Sequence, residues 1–213
     1  MPKKKRKVGS GGSRCYFSIR YVPDYADNEL LAGRCISNMH GFLSHERNKP
    51  FKNSVGICFP VWNEQTVGNV ITFVSTNESI LTGLSYQPYF SRMVNENLFE
   101  ISDIKAVPDD AEEVRFVFNK TIQKIFNGSK KRRIKRAMKR AEEFGHAFTP
   151  ISVEEREFEL FHEIPISSKS SGHDFVLHIQ RQYPVVAEIE QHFNGYGFAS
   201  NQLWQGTVPL ISF

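Results

Sequence analysis

The sequence predicts an α+β fold, with a ferredoxin-like N-terminal domain and a C-terminal α/β domain that carries an arginine-rich helix. Apolar patterns over residues 14–107 follow the order β-α-β-β-α-β, which is the order of a ferredoxin-like domain. Residues 108–110, Pro-Asp-Asp, are typical of a turn between domains. A dense cluster of cations and further strand patterns follow them. We therefore predict two domains, over residues 14–110 and 111–213.

The first 13 residues are set apart from the fold. Residues 2–8, PKKKRKV, are a short basic nuclear-import signal, and residues 9–13 are a flexible glycine-serine joint. A native basic arm that touches nucleic acid is the alternative, which the abrupt joint disfavours. This tag predicts nuclear import when the protein is made in a eukaryotic cell.

Hydrophobic periodicity predicts the elements of the N-terminal domain. Residues 14–22 alternate as a strand does, and Asp27-Asn28 offers an N-cap for the helix that follows. Apolar residues recur at helical spacing in that helix: Leu31, Cys35, Met39, Phe42 and Leu43. The other predicted elements are strands at 55–60, 70–75 and 101–107 and a helix at 77–84.

Similar patterns predict the C-terminal domain. Its predicted elements are strands at 114–118, 158–166 and 175–181, a glycine break at 127–129, the basic helix after that break, and β-like segments at 193–198 and 207–211. A serine-rich loop joins the two strands that follow the helix. No internal sequence repeat stands out.

The distribution of charge indicates a local site for a polyanion. The chain has 27 Lys and Arg against 23 Asp and Glu, and five of the cations lie in the tag, which leaves 22 basic and 23 acidic groups in the remaining 200 residues. Residues 130–140 hold eight cations and no acid, so the rest of those 200 residues has a net charge of −9. One strongly positive element on an acidic body is typical of a protein that binds a polyanion.

Other classes are disfavoured. Cys15, Cys35 and Cys58 form no C-x-x-C pair, which argues against a disulfide framework or a zinc ribbon and fits a reducing compartment. No apolar run approaches the roughly 20 residues that a membrane-spanning helix needs, so we predict a soluble cytoplasmic protein with no membrane partner. No H-E-x-x-H motif or histidine-cysteine cluster occurs, and we predict neither a metal site nor a cofactor.

The basic helix predicts nucleic-acid binding. An apolar stripe, by which we expect the helix to dock on the protein, consists of Ile134, Ala137, Met138, Ala141 and Phe144. The cations around it are Lys131, Arg132, Arg133, Lys135, Arg136, Lys139 and Arg140. A solvated face is the alternative, but such a face interleaves acids at i+4, and none occurs before Glu142. Arginine-rich helices bind either duplex DNA or RNA hairpins, and the helix alone does not decide between them.

The residues of this chain could cleave RNA without a metal ion. The 2′-hydroxyl can attack the adjacent phosphate if a base removes its proton, and a histidine suits that role because its pKa is ordinarily near neutrality. His40 lies late in the first helix beside its apolar stripe, where a partly buried structural histidine is the alternative. Residues 167–172, SSKSSG, place four serines and a cation between two predicted strands, where a flexible linker is the alternative.

Together these features resemble the type I-F CRISPR repeat endoribonucleases over residues 14–213. The residues that carry the resemblance are His40, the arginine-rich helix, Ser168-Lys169-Ser170-Ser171-Gly172 before Phe175, and Gly195-Tyr196-Gly197. Residues 55–62, VGICFPVW, and 66–68, TVG, are more similar to the branch that is encoded within CRISPR-associated transposons.

The resemblance implies an enzyme that grips the CRISPR repeat hairpin and cuts at the 3′ base of its stem, without metal, leaving a 2′,3′-cyclic phosphate. It implies that His40 is the general base, that Ser168 orients the attacking nucleotide and that Tyr196 positions the histidine. The basic helix would lie in the major groove of the hairpin, and Phe175 would stack on the terminal base pair of the stem. The residues that would hold the RNA beside the cut are Lys169, Ser170 and Ser171.

The chain departs from this family in one place, where relatives carry an Arg-x-Gln pair that reads base edges before the helix. Residues 118–120 here are Phe-Asn-Lys, so Lys120 or Gln123 is expected to take that role, or the readout is relaxed. The resemblance also implies partners: the CRISPR RNA, the other subunits of a type I-F surveillance complex in the bacterial cytoplasm, the transposition protein TniQ, and target DNA only indirectly.

Two alternatives belong to other functional classes. The first is a hairpin-binding structural subunit that does not cut, which the presence of His40, Ser168 and Tyr196 argues against. The second is a DNA-binding protein that uses its arginine-rich helix, which predicts affinity for duplex DNA and indifference to a 2′-hydroxyl.

Overall fold

The computed structural model describes residues 13–123, 127–145, 159–167, 172, 174–183, 192–200, 203–211 and 213, and for residues 123, 127–133 and 141 it describes the backbone alone. The tag, except for Ser13, lies outside these residues, and its role stays a prediction. Among the residues that the structure describes, none of the helices has the length and apolar character that a membrane crossing requires. The three cysteines are free thiols.

The N-terminal part is built around one antiparallel sheet. Its elements, in chain order, are β1 (Cys15–Tyr21), α1 (Asn28–Ser44), a 3-10 helix (Glu46–Phe51), β2 (Val55–Cys58), β3 (Val70–Ser75), α2 (Glu78–Ser85), α3 (Pro88–Asn95), β4 (Phe99–Ile101) and β5 (Lys105–Ala106). The strand order is β2-β3-β1-β4, with β5 also paired to β1, and all neighbours are antiparallel. This is the ferredoxin-like order, which confirms the predicted fold of this part.

The C-terminal part has a second antiparallel sheet. Its elements are β6 (Glu112–Phe118), α4 (Lys120–Gln123), α5 (Asn127–Glu143), β7 (Phe161–Ser167), β8 (Asp174–Gln182) and β9 (Val208–Leu210). The strand order is β7-β8-β6-β9. Counted from β6, this order is the same as that of the first sheet, although the sequence shows no repeat. The α+β class is therefore confirmed.

Side-chain caps explain where the helices of the first part begin. The Asp27 carboxylate accepts a hydrogen bond from the backbone N–H of Leu30 at 2.8 Å, and the Asn77 amide oxygen accepts one from Ile80 at 3.1 Å. The helix α3, which the sequence analysis did not predict, starts at Pro88, where the missing N–H of proline has no cost. The buried face of α1 is formed by Ala32, Gly33, Cys35, Ile36, Met39 and Leu43.

Three local predictions differ from the structure. The predicted strand at 101–107 is broken after β4, because the Ser102 hydroxyl accepts a hydrogen bond from the backbone N–H of Ser18 at 3.0 Å. The pairing register with β1 then advances by one residue, as at a β-bulge. Residues 127–129, predicted as a break, form the first turn of α5. Residues 193–198 form a turn instead of a strand.

The helix α1 lies between the first sheet and β7. Gly33 allows this close approach, because a Cβ at that position would collide with the carbonyl oxygen of Pro165 in β7. The hydrophobic core also joins the two halves of the chain. The ring centroid of Phe59, just after β2, lies 5.3 Å from that of Phe116 in β6. The division into two domains at residue 110 stays a prediction. The C-terminal end of α1, and His40 with it, therefore lies next to elements from both halves of the chain.

This packing predicts opposite effects for one substitution at two glycines of α1. Gly33→Ala should lower the free energy of unfolding by about 1–3 kcal/mol, because the added methyl group overpacks the contact with β7. Gly41→Ala is the matched control: a Cβ there meets no atom within 4 Å, so it should raise the stability by up to about 1 kcal/mol. Denaturant unfolding measures both values. Equal stability of the two variants would contradict the contact between α1 and β7.

Candidate functional site

The helix α1 presents His40 at the edge of its buried face, next to Met39 and one turn after Ile36. The ring is half-buried, and its Nδ1 lies 2.7 Å from the carbonyl oxygen of Gly195. A carbonyl oxygen only accepts hydrogen bonds, so Nδ1 must be the protonated nitrogen that donates. In the neutral ring Nε2 then carries the lone pair, which is the form that a general base requires.

The segment that holds His40 is a tight turn around Tyr196. The Asn194 amide oxygen accepts a hydrogen bond from the Tyr196 backbone N–H at 2.8 Å, and the Gly197 carbonyl accepts one from Ile57 in β2 at 2.9 Å. Gly197 has a φ of +81°, and a Cβ there would lie 2.7 Å from Ile57 Cγ1, so glycine is required on both grounds. The turn is thereby fixed to the first sheet.

Tyr196 gives the histidine a flat support. Its ring stacks on that of His40, with the centroids 4.5 Å apart and the planes 21° from parallel. Burial raises the pKa of the Tyr196 phenol, so the hydroxyl stays protonated at neutral pH and does not compete as a base. The Phe175 ring meets Tyr196 edge-on at 5.7 Å. The structure thus brings together three residues that the sequence analysis selected.

These three side chains line a pocket of about 420 Å³ at the end of α1. Ser167, the last residue of β7, forms part of its wall. The serine loop that follows begins directly at this wall, but Ser168, Lys169, Ser170 and Ser171 lie outside the described residues. Their roles, and those of His40, Tyr196 and Phe175 in binding or cutting RNA, stay predictions.

Lys52 is a cation at the site that the sequence analysis missed. Its Cε and the His40 ring both lie 3.4 Å from the position that a Cβ on Gly195 would occupy. Lys52 follows the 3-10 helix in a loop without periodicity, so no local pattern marks it. It reaches the site because the Phe193 backbone N–H donates to the carbonyl of Asn53 at 3.1 Å, a contact between distant parts of the chain.

The basic helix corresponds to α5 in the structure. Lys135, Arg136, Lys139 and Arg140 are exposed, while the side chains of Gln123, Lys131, Arg132 and Arg133 lie outside the described residues. The Lys139 ammonium lies 3.7 Å from the Glu143 carboxylate, and the Arg140 Nε donates to the carbonyl of Arg136 at 3.3 Å. Lys120 is also exposed and lies over the Phe118 ring at 5.6 Å.

The predicted docking of α5 through its apolar stripe is wrong for the three large side chains of the stripe, although Ala137 is half-buried. Ile134, Met138 and Phe144 are 39%, 52% and 72% exposed. The chain is anchored just before this helix instead, where Ile122 of the short helix α4 is buried.

Among the described residues, no group of three or more His, Cys, Asp or Glu side chains is placed to hold a metal ion.

A comparison with known protein families agrees with the resemblance in the sequence. A family described as "CRISPR-associated protein (Cas_Csy4)" matches residues 16–211, which is most of the chain. No curated protein matches. Among solved structures, the chain is similar to the one titled "Characterization of a Cas6-related gene from Pyrococcus furiosus", with 14% sequence identity, 88% of this chain and 96% of that chain covered, and a TM-score of 0.30.

Proposed function

Because the chain belongs to the CRISPR-associated Cas_Csy4 family of endoribonucleases, which bind and process CRISPR repeat RNA, we propose a specific reaction for it. It cuts the repeat hairpin at the 3′ base of the stem, without a metal ion, and leaves a 2′,3′-cyclic phosphate. The observation that carries this proposal is the hydrogen bond from His40 Nδ1 to the carbonyl of Gly195, because it leaves Nε2 as a base beside an open pocket.

The reaction needs few groups from the protein. His40 Nε2 removes the proton of the 2′-hydroxyl, whose oxygen attacks the adjacent phosphorus. The bond from phosphorus to the 5′-oxygen breaks, and that oxygen takes a proton from solvent. Negative charge grows on the phosphate during this step, and we assign Lys52, whose Cε lies beside Gly195 as the His40 ring does, to offset it. Tyr196 holds the His40 ring by stacking, which keeps the base within reach of its proton.

Affinity for the hairpin comes from a different part of the chain. We assign it to the cations of α5, Arg132, Arg133, Arg136, Lys139 and Arg140, which contact phosphates of the stem. Phe175 stacks on the terminal base pair, and the loop of Ser168, Lys169, Ser170 and Ser171 holds the nucleotides beside the cut. Lys120 and Gln123 are the candidates for reading base edges. These assignments rest on the resemblance and on the exposure of the described helix cations.

The proposal includes what happens after cutting. The enzyme stays on its product hairpin as a subunit of a type I-F surveillance complex of a CRISPR-associated transposon, with TniQ as a neighbour. Residues 55–62 and 66–68 support the transposon branch. In its bacterial host the protein is cytoplasmic, and the tag directs it to the nucleus of a eukaryotic cell.

Product analysis tests the proposed reaction. Enzyme in excess over a labelled repeat RNA, in the presence of EDTA, should give one cut at the 3′ base of the stem. The upstream product should end in a 2′,3′-cyclic phosphate, which acid opens to a mixture of 2′- and 3′-phosphates. Products with a free 3′-hydroxyl, or a reaction that begins only when a divalent metal is added, would contradict the proposal.

A further inference from the structure

A second pocket, of about 450 Å³, lies beside the pocket at His40. This second pocket, which we term the distal groove, is lined by Gly41, Phe42, His45, Arg47, Asn48 and Gln87. Gly41, Phe42 and Gln87 line the first pocket as well, so the two pockets are adjacent at the end of α1, and we refer to them together as the channel. Phe175 and Tyr196 line the first pocket and not the second. His40 also lines the first pocket alone, and Arg47 lines the second alone, so the channel has an end with Phe175 and His40 and an end with Arg47.

The distal groove has the three kinds of group that a nucleotide needs. Phe42 is half-buried and offers an aromatic ring on which a base can stack. The Asn48 Nδ2 donates to the Phe42 carbonyl at 2.9 Å and the Gln87 Nε2 donates to the Gly83 carbonyl at 3.0 Å, so each amide oxygen remains as an acceptor for a base edge. Arg47 is exposed and offers a guanidinium for a phosphate.

The charges around the groove favour an anionic occupant. Residues 45–52 contain three cations, Arg47, Lys49 and Lys52, against one carboxylate, Glu46. Glu46 pairs with Lys49 at 3.4 Å. Within the part of the chain that the structure describes, no carboxylate lies within 4.0 Å of the Arg47 or Lys52 cations. Arg47, which lines the distal groove, and Lys52, which lies beside Gly195 near His40, are therefore available to phosphates.

We propose that the distal groove binds the single-stranded RNA on the 3′ side of the cut, with Phe42 under the first base and Arg47 on the phosphate that follows it. This inference rests on the proposed function, because the direction of the strand depends on it. The stem ends at Phe175 and the scissile phosphate lies at His40, so the strand that leaves the cut continues toward Arg47. Stacking and a phosphate contact make this site tolerant of sequence.

Binding to RNA that cannot be cut tests the groove separately from the chemistry. The probes are two repeat hairpins with a 2′-deoxy nucleotide before the cut, one with a single nucleotide after the cut and one with four. The parent protein should bind the longer RNA on the order of tenfold more tightly, as one stacked base with a phosphate contact predicts. The double variant Arg47→Ala with Asn48→Ala should lose this gain and bind the shorter RNA as the parent does.

Two further variants complete the experiment. Lys49→Ala is the matched control, because Lys49 lies in the same 3-10 helix but lines neither pocket, and it should keep the tenfold gain. The Asn48 side chain donates to the Phe42 carbonyl near the end of α1, so its removal could disturb that helix. Arg47→Glu keeps Asn48 and should also remove the gain in affinity for the longer RNA. Equal affinity of the parent for both RNAs, or a gain that persists in both Arg47 variants, would overturn the inference. Failure of the parent to cut an all-ribose hairpin would instead contradict the proposed function.

Discussion

His40→Ala should slow single-turnover cleavage of the repeat hairpin by on the order of 10²- to 10⁴-fold, which is the range for loss of a general base. Hairpin affinity should change by less than about twofold, because the cations of α5 supply most of it. The cleavage rate falls because the variant lacks the imidazole ring of His40. In the parent, Nδ1 of that ring donates to the Gly195 carbonyl, which leaves Nε2 to accept the proton of the 2′-hydroxyl. Rapid mixing with excess enzyme and equilibrium binding measure the two quantities.

Imidazole rescue separates a base from a structural residue. The variant leaves a space between the Tyr196 ring and the Gly195 carbonyl that free imidazole can occupy. Added imidazole should therefore restore part of the cleavage rate, with a pH dependence that follows its own titration. A structural role would show lowered thermal stability and no rescue. Cleavage by His40→Ala at the parental rate would remove His40 from the mechanism.

Arg136→Ala together with Arg140→Ala should weaken hairpin binding on the order of 100-fold at low salt, if each arginine contributes about tenfold. The slope of log affinity against log salt should fall by about 0.7–0.9 for each lost phosphate contact. Both side chains are exposed on α5 and lie one turn apart. The cleavage rate at saturating enzyme should stay at the parental value, because the helix is assigned to affinity and not to chemistry.

A charge-matched control tests whether α5 is special. Arg92→Ala with Lys105→Ala removes the same number of cations from exposed positions on α3 and β5. This pair should change neither the affinity at moderate salt nor the slope beyond a small general effect. If the α5 variant and the control behave alike, the charge of the whole protein, not the helix, determines binding.

Helix capping and apolar periodicity in the sequence predicted the part of the site that lies on α1. Asp27 caps that helix and its apolar residues recur at helical spacing, so the position of His40 at the edge of the buried face followed from sequence. The order of the elements along the chain, β-α-β-β-α-β, was equally accessible, since each strand and helix carried its own pattern, and the ferredoxin-like class was predicted from that order. Such features depend on residues a few positions apart, which a sequence displays directly.

Contacts between distant residues were not accessible in this way. Lys52 reaches the His40 site only because Asn53 pairs with Phe193, and no pattern around residue 52 indicates it. The apolar stripe on α5 shows a second limit of prediction from sequence. Periodicity reveals an apolar face of a helix but not whether another part of the protein packs against it, and in this structure Met138 and Phe144 of that face are exposed. The matching strand orders of the two sheets also arise from pairing, without a repeat in sequence.

The central claim is that this protein uses the 2′-hydroxyl of its substrate and a histidine, without metal. The most direct test compares two repeat RNAs in EDTA that differ by one oxygen atom, the 2′-oxygen of the nucleotide before the cut. The all-ribose RNA should be cut completely by excess enzyme. The 2′-deoxy RNA should bind with the same affinity and remain intact, because the attacking group is missing. Cleavage of the 2′-deoxy RNA at a comparable rate would contradict the account, since the nucleophile would then have to come from elsewhere.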